Sequence, residues 1–226
     1  MRSLHRTIDR ATLRDIALVC AADALVGASF GAIATAGGLP AWLPIALSLL
    51  VFAGGAQFAA LGVVLAGGSA LAAVATGLVL NARLLLFGFA LSDVVGGRWT
   101  RYLGAHLIMD EALAFTLRRR DPAGRRAVFR LCGLALFACW NLAVAAGALA
   151  GRSLHSTDAL GLDAAFPAVL LALIFPALAA PAVRKAAALG AAAAVAAAPF
   201  LPAGLPVLLA PLALLLFRPA RTEAAR

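Results

Sequence analysis

Charge is scarce in this sequence: Asp, Glu, Lys and Arg make up 13% of its 226 residues. A soluble domain carries about 25% charged and about 45–50% apolar residues, so an ordinary water-exposed fold is excluded. Disorder, which needs low hydrophobicity and high net charge, is excluded as well. Acids are scarcer than bases, 10 against 19. Aromatics, at 7%, do not interleave with the basic runs, which removes the basis for nucleic-acid binding. Cysteine occurs three times, at Cys20, Cys132 and Cys139. All three lie in apolar stretches without zinc or redox spacing, so they read as small apolar fillers. No glycine loop ending in Gly-Lys-Ser/Thr is present, which argues against a built-in ATPase. Three histidines, at 5, 106 and 155, offer no metal cluster. No metal and no cofactor is expected.

What the sequence has is hydrocarbon. Hydrophobic residues make up 64% and the mean hydropathy is +0.99. Taking about 20 apolar residues per membrane crossing, the chain reads as an all-α polytopic bundle of about seven or eight transmembrane helices, some broken or short. The expected spans are residues 16–36, 42–66, 70–91, 102–117, 127–150 and 163–183, followed by two short segments, 186–198 and 205–217. Turn signals separate the early ones: Gly37-Gly38-Leu39-Pro40 and Gly67-Gly68-Ser69. Gly54-Gly55 interrupts the second span. Residues 1–15 form a basic N-terminal arm, 16–217 the transmembrane domain and 218–226 a tail. The arginines at 2, 6, 10 and 14 lead into a long apolar segment rather than the short h-region of a cleavable signal.

The net charge of +9 is unevenly distributed. With eight spans and the N-terminus inside, the arm, the Arg118–Arg130 segment, Arg184-Lys185 and the tail (Arg218, Arg221, Arg226) share one side. Only Arg98, Arg101 and Arg152 fall opposite, and Arg83 lies within the membrane. This satisfies the positive-inside rule with both termini cytoplasmic. Trp42, Trp99 and Tyr102 sit near span ends as interfacial anchors; Trp140 does not, and is read as packing.

Polar residues at membrane depth carry the functional signal, because each costs about 2.5–3.5 kcal/mol at a helix centre. They are Asp23, Gln57, Asn81, Arg83, Asp110, Glu111 and Asn141. Gly54-Gly55 with Gln57 matches the broken helices at which transporters expose backbone to a substrate; close packing against a neighbouring helix is the plain alternative. Asn81 and Arg83, two residues apart, face different sides of a helix. Arg83 stays charged at any relevant pH and lies too deep to snorkel, so it needs an anionic ligand or one of Asp23, Asp110 and Glu111. A structural ion pair is the alternative. Asp110 and Glu111 lie about 100° apart on a helix and suit a proton relay or an amine site. His106, four residues before Asp110, shares its face in a continuous helix; an interfacial histidine is the simpler reading. His5 and His155 read as solvated.

Taken in order, Phe52-Ala53-Gly54-Gly55-Ala56-Gln57-Phe58, Asn81-Ala82-Arg83 with Phe87-Gly88, Asp110-Glu111-Ala112-Leu113-Ala114 and Leu162-Asp163-Ala164-Ala165-Phe166-Pro167-Ala168 resemble the AzlC family. That family comprises the large subunits of two-component exporters of branched-chain amino acids. The resemblance runs over residues 15–217. It implies export of leucine, isoleucine or valine across the bacterial inner membrane, driven by the proton motive force. It also implies a small AzlD-like membrane partner. Two positions depart from the family pattern: Leu84 stands where relatives carry histidine after Asn-x-Arg, and Met109 where they carry threonine before Asp-Glu.

The site expected on these grounds comprises Gly54, Gly55, Gln57, Phe58, Asn81, Arg83, Asp110 and Glu111. Arg83 and the glycine break hold a carboxylate, and Asp110 or Glu111 an amine. Asp110, Glu111 and Asp23 are the candidates for proton coupling. Phe58 and Phe87 either shape an apolar pocket or belong to the core. Expected partners are the small subunit, an amino-acid substrate and the bilayer; self-association stays open. Two other classes remain: a structural or assembly subunit without its own transport site, and an intramembrane enzyme using Asp110 and Glu111 as acids.

Overall fold

The computed structural model describes residues 8–152 and 177–201, with isolated positions 171, 175 and 206. Among the described residues the chain is helical throughout, with no strand. The helices are α1 (Arg10–Ala36), α2 (Trp42–Val51), α3 (Gly54–Leu65), α4 (Ala70–Asn81), α5 (Arg83–Ala90), α6 (Thr100–His106), α7 (Asp110–Leu117) and α8 (Pro122–Gly151), then a 3-10 turn at Ala177–Ala179 and α9 (Pro181–Ala197). Two compact units emerge. The first holds residues up to Gln57 and 81–162; the second holds 58–80 and 163–226. The Leu162–Ala168 motif, His5, His155, the 205–217 segment beyond Pro206 and the tail lie outside the described residues.

Among the described residues, three helical runs are long and apolar enough to cross a membrane: Arg10–Ala36, Ala70–Ala90 and Pro122–Gly151. Two of them start earlier than hydropathy indicates, for a capping reason. Asp9 caps α1 by accepting from the Thr12 amide at 3.2 Å. Asp121 caps α8 by accepting from the Gly124 amide at 2.6 Å, with Pro122 in the first turn. Each helix therefore starts with a basic turn that composition assigns to a loop.

α1 and α8 form the frame of the first unit. A Cβ at Gly31 would meet the Ala148 amide at 2.6 Å. One at Gly147 would overlap the Ala28 carbonyl, and one at Gly151 would meet the Ala32 carbonyl at 2.7 Å. The touching positions rise in sequence together along both helices, from Gly27 on Trp140 to Thr35 on Gly151, so the two run parallel. Gly27–Gly31 and Gly147–Gly151 share the small-xxx-small spacing that lets backbones approach in a bilayer, where packing rather than water exclusion joins helices. Behind this seam Phe30, Val128, Leu136 and Val144 are buried. On the outer faces Leu25 and Leu142 stay 74% and 72% exposed, as lipid-facing leucines do.

The segment 102–117, expected as a crossing, folds back instead. α6 ends at His106, the chain reverses through Leu107-Ile108-Met109, and α7 returns. Both mouths of this hairpin lie at the N-terminal end of α8. Arg125 grips Asp93 through Nε and Nη2 at 2.8 and 2.9 Å and reaches the Ala90 carbonyl at 3.2 Å. Arg119, past α7, bonds Asp9 and donates to Thr12 Oγ1 at 2.8 Å. The tip lies level with the middle of α8, where Leu107 packs on Gly133. Arg98 and Arg101 thus share an end with Arg119 and Arg125, correcting their expected placement opposite. Hydropathy could not show the reversal because all three tip residues are apolar.

In the second unit, α3 ends at a Schellman turn, with Gly68 N–H donating to Val63 O at 2.8 Å and Gly67 N–H to Val64 O at 3.0 Å. Gly67 takes φ +79° there. Ser69 then caps α4 through the Ala72 amide at 3.2 Å. Val63, Ala72 and Ala73 pack together with Ala60 and Val64. Arg184 and Lys185 fall in the first turns of α9 rather than in a loop between two spans.

Candidate functional site

The breaks that build the site differ in position from those expected. The second apolar segment breaks at Phe52-Ala53, and Gly54-Gly55 instead open α3. Phe52 adopts the left-handed conformation at φ 36°, uncommon for a residue with a side chain. The first backbone bond at the start of α3 runs from Gln57 N–H to Ala53 O at 2.9 Å. The amides of Gly54, Gly55 and Ala56 are therefore the open donors of a helix N-terminus. The third segment is interrupted at Ala82, which keeps helical angles, and Arg83 opens α5. In the fourth, Asp110 and Glu111 occupy the first turn of α7 rather than a helix interior. That is a favourable place for carboxylates, worth about 0.3–1 kcal/mol each through the helix dipole.

These ends converge within the first unit. Arg83 Nη1 meets Asp110 Oδ2 at 2.8 Å, with the two side chains 48% and 44% exposed. The pair is therefore half open. Arg83 Nη2 also lies 3.8 Å from the position of a Cβ on Gly55, which sets the guanidinium beside the open amides of α3. Donors that could hold an anion (Arg83 and the Gly54–Ala56 amides) and an acceptor that could hold a cation (Asp110) thus adjoin. Glu111 follows Asp110, and Asp23 on α1 is within electrostatic range of Glu111. Asp23 Oδ2 is buried without a hydrogen-bond partner among the described residues.

Other expected site residues take different positions. Gln57 is 1% exposed, and both polar atoms of its side-chain amide are engaged: Nε2 donates to Leu47 O at 3.1 Å, and Oε1 accepts from Trp140 Nε1 at 3.1 Å. It ties α2, α3 and α8 together beneath the site. Phe58, in the second unit, is fully buried. Asn81 is partly exposed at the end of α4. Asn141 accepts from Ser48 Oγ at 2.7 Å and donates to Phe137 O at 2.8 Å, a second strut between α2 and α8. His106 does not share a face with Asp110, because the hairpin tip separates them. Its Nε2 donates to Leu49 O at 2.9 Å, covering a carbonyl in the last turn of α2. Its ring packs against Phe52 and Phe137, with centroids 6.1 and 5.6 Å away.

Trp140 is the scaffold residue that sequence reasoning undervalued. It is 3% exposed, and a Cβ at Gly54 would lie 2.9 Å from its Cη2. The usable signal was a tryptophan in mid-span, whose buried N–H requires an acceptor.

Residues 19–154, which hold every charged group of this site, match the family model described as AzlC protein. The chain belongs to the AzlC family. AzlC proteins are associated with transport rather than enzymatic chemistry, and membership together with the apolar helices makes this an integral membrane protein, consistent with a transport subunit. Neither a curated protein nor a solved structure matches the chain significantly.

Proposed function

We propose that this AzlC protein is the large subunit of an exporter that moves branched-chain amino acids across the bacterial inner membrane, coupled to protons. The half-open Arg83–Asp110 pair, set among the N-termini of α3, α5 and α7, carries the reading. A zwitterion brings one charge of each sign. Its carboxylate takes Arg83 and the amides of Gly54, Gly55 and Ala56, while its ammonium takes Asp110. The substrate replaces the internal pair charge for charge, so neither half-open partner is left without a counter-charge. Glu111 and Asp23 exchange the coupling proton. Phe87, one turn after Arg83 on α5, borders the aliphatic side chain. Discrimination among leucine, isoleucine and valine is weak, because one methylene is worth about 1–3 kcal/mol.

A small AzlD-like subunit completes the transporter. The arginine-rich end faces the cytoplasm, as the positive-inside rule requires. The test is counterflow of labelled leucine in proteoliposomes containing both subunits. Arg83→Gln and Asp110→Asn are expected to abolish exchange while still inserting into membranes. Wild-type counterflow in both variants would overturn the site.

A further inference from the structure

We infer that the α6–α7 hairpin is the moving gate of the site, and that Asp93–Arg125 and Arg119–Asp9 are the latches holding it closed at the arginine-rich end. The inference deepens the transport reading, since it takes Arg83–Asp110 as the substrate site.

The first argument is mechanical. α1 and α8 meet backbone to backbone at Gly31 and Gly147, so they form a rigid frame. The hairpin consists of helices of seven and eight residues, well below the roughly 12–15 at which a helix is marginal alone. Their stability comes from what they touch. The reversal at the tip has no side-chain cap: Met109 stands at the N-cap of α7 in extended conformation, and only its carbonyl bonds into the helix, accepting from the Leu113 amide at 3.0 Å.

The second argument concerns attachment. Each mouth of the hairpin is pinned to one frame helix by an aspartate–arginine pair. On the leading side, Asp93 holds Arg125 of α8 in a two-pronged contact, and Gly104 of α6 packs without room for a side chain on the Val95 carbonyl of the same loop. On the trailing side, Arg119 holds Asp9 and Thr12 at the start of α1. Arg125 keeps the Asp93 carboxyl below the usual carboxylate range through its hydrogen bonds, so the latch stays ionised at neutral pH. Exposed pairs of this kind are worth at most a few-fold each in an opening equilibrium, which suits contacts that must break and re-form.

The third argument is coupling. The tip bears Asp110, so withdrawing the hairpin from the frame separates Asp110 from Arg83. Opening at the arginine-rich end and dissolving the internal ion pair are then one motion. A zwitterion in the site replaces the contact that would otherwise draw the hairpin back.

Hydrogen exchange on the full chain in lipid nanodiscs tests this without relying on transport. Asp93→Asn and Arg119→Gln are each expected to speed exchange of the α7 amides about five-fold, and together about twenty-fold, with α1 and α8 unchanged. The reversed pair Asp93→Arg with Arg125→Asp is expected to recover most of the wild-type protection, short of what the lost Ala90 carbonyl contact contributes. Unchanged α7 exchange in the double variant would overturn the gate, as would a rise spread equally over α1 and α8. If α7 loosens as expected but labelled leucine never exchanges in proteoliposomes, the gate stands and the transport reading fails.

Discussion

Trp140 is one of three tryptophans and the one set in the middle of a long helix. Its N–H gives Gln57 Oε1 its acceptor role inside the protein. Trp140→Phe keeps a ring in place but strands that oxygen, a loss of about 1–3 kcal/mol. The thermal midpoint in detergent is expected to fall, and Gln57→Met added to the same chain is expected to recover part of the drop. An unchanged midpoint in Trp140→Phe would show that the bond contributes nothing. Met109 offers a change of opposite sign. At the N-cap of α7 its side chain caps no amide, so Met109→Thr is expected to raise the midpoint by the equivalent of about 1 kcal/mol; a fall would mean that lost packing outweighs the cap. At this scale the sequence was legible in demand but not in supply. That Arg83 at such depth needs an acid follows from its charge alone. Which of Asp23, Asp110 and Glu111 answers depends on a tertiary contact. Gln57 was read as exposed to ligand for the same reason: its partner lies 83 residues away.

Elements were legible where capping or turn chemistry marks them and opaque where the chain breaks inside hydrocarbon. Gly37-Gly38 and Gly67-Gly68 end helices as expected, and Gly38 and Gly67 carry positive φ. The breaks at Phe52-Ala53 and at Ala82 fall beside a signal, Gly54-Gly55 and the Asn81 and Arg83 that flank Ala82, whereas Leu107-Ile108-Met109 carry no polar or Gly/Pro signal of their own, so a hydropathy window averages over them. Asp110-Glu111 did offer one, since paired acids favour a first turn; an uninterrupted span hid it. The α1–α8 seam supplies a prediction at this scale. Gly147→Ala places a methyl against the Ala28 carbonyl, a backbone atom that no rotamer change can move. Overpacking of this kind costs about 1–3 kcal/mol, and the thermal midpoint is expected to drop accordingly. Gly77→Ala is the control: its Cβ meets nothing within 4 Å, and its midpoint is expected to hold or rise, because alanine favours helix by about 1 kcal/mol. Equal midpoints in the two variants would remove the seam from the account of stability.

For the whole molecule, the hairpin changes the charge arithmetic of the described residues. With Arg98 and Arg101 joined to the Arg118–Arg130 segment and to the start of α1, the described part of the first unit has one arginine-rich end; Arg152, at the end of α8, stands alone at the other. The segregation was legible in the sequence, but the mechanism for it was not, because a fold-back and a crossing contain the same residues. The same geometry sets a requirement on cargo that composition could not reveal. If the substrate displaces Arg83 from Asp110, it has to satisfy both at once. Leucinamide retains the ammonium but leaves Arg83 without an anion, while N-acetyl-leucine retains the carboxylate but leaves Asp110 without a cation. Sites built around a charged or hydrogen-bonding group reject analogues lacking it by about 10⁴-fold or more when fully buried. Arg83 and Asp110 are 48% and 44% exposed, which softens the penalty to roughly 100-fold on the same reasoning. In competition counterflow against labelled leucine, both analogues are therefore expected to inhibit about 100-fold more weakly than unlabelled leucine. Isoleucine and valine are expected to compete within about ten-fold. Equal inhibition by leucinamide would place the carboxylate away from Arg83, and equal inhibition by N-acetyl-leucine would place the ammonium away from Asp110.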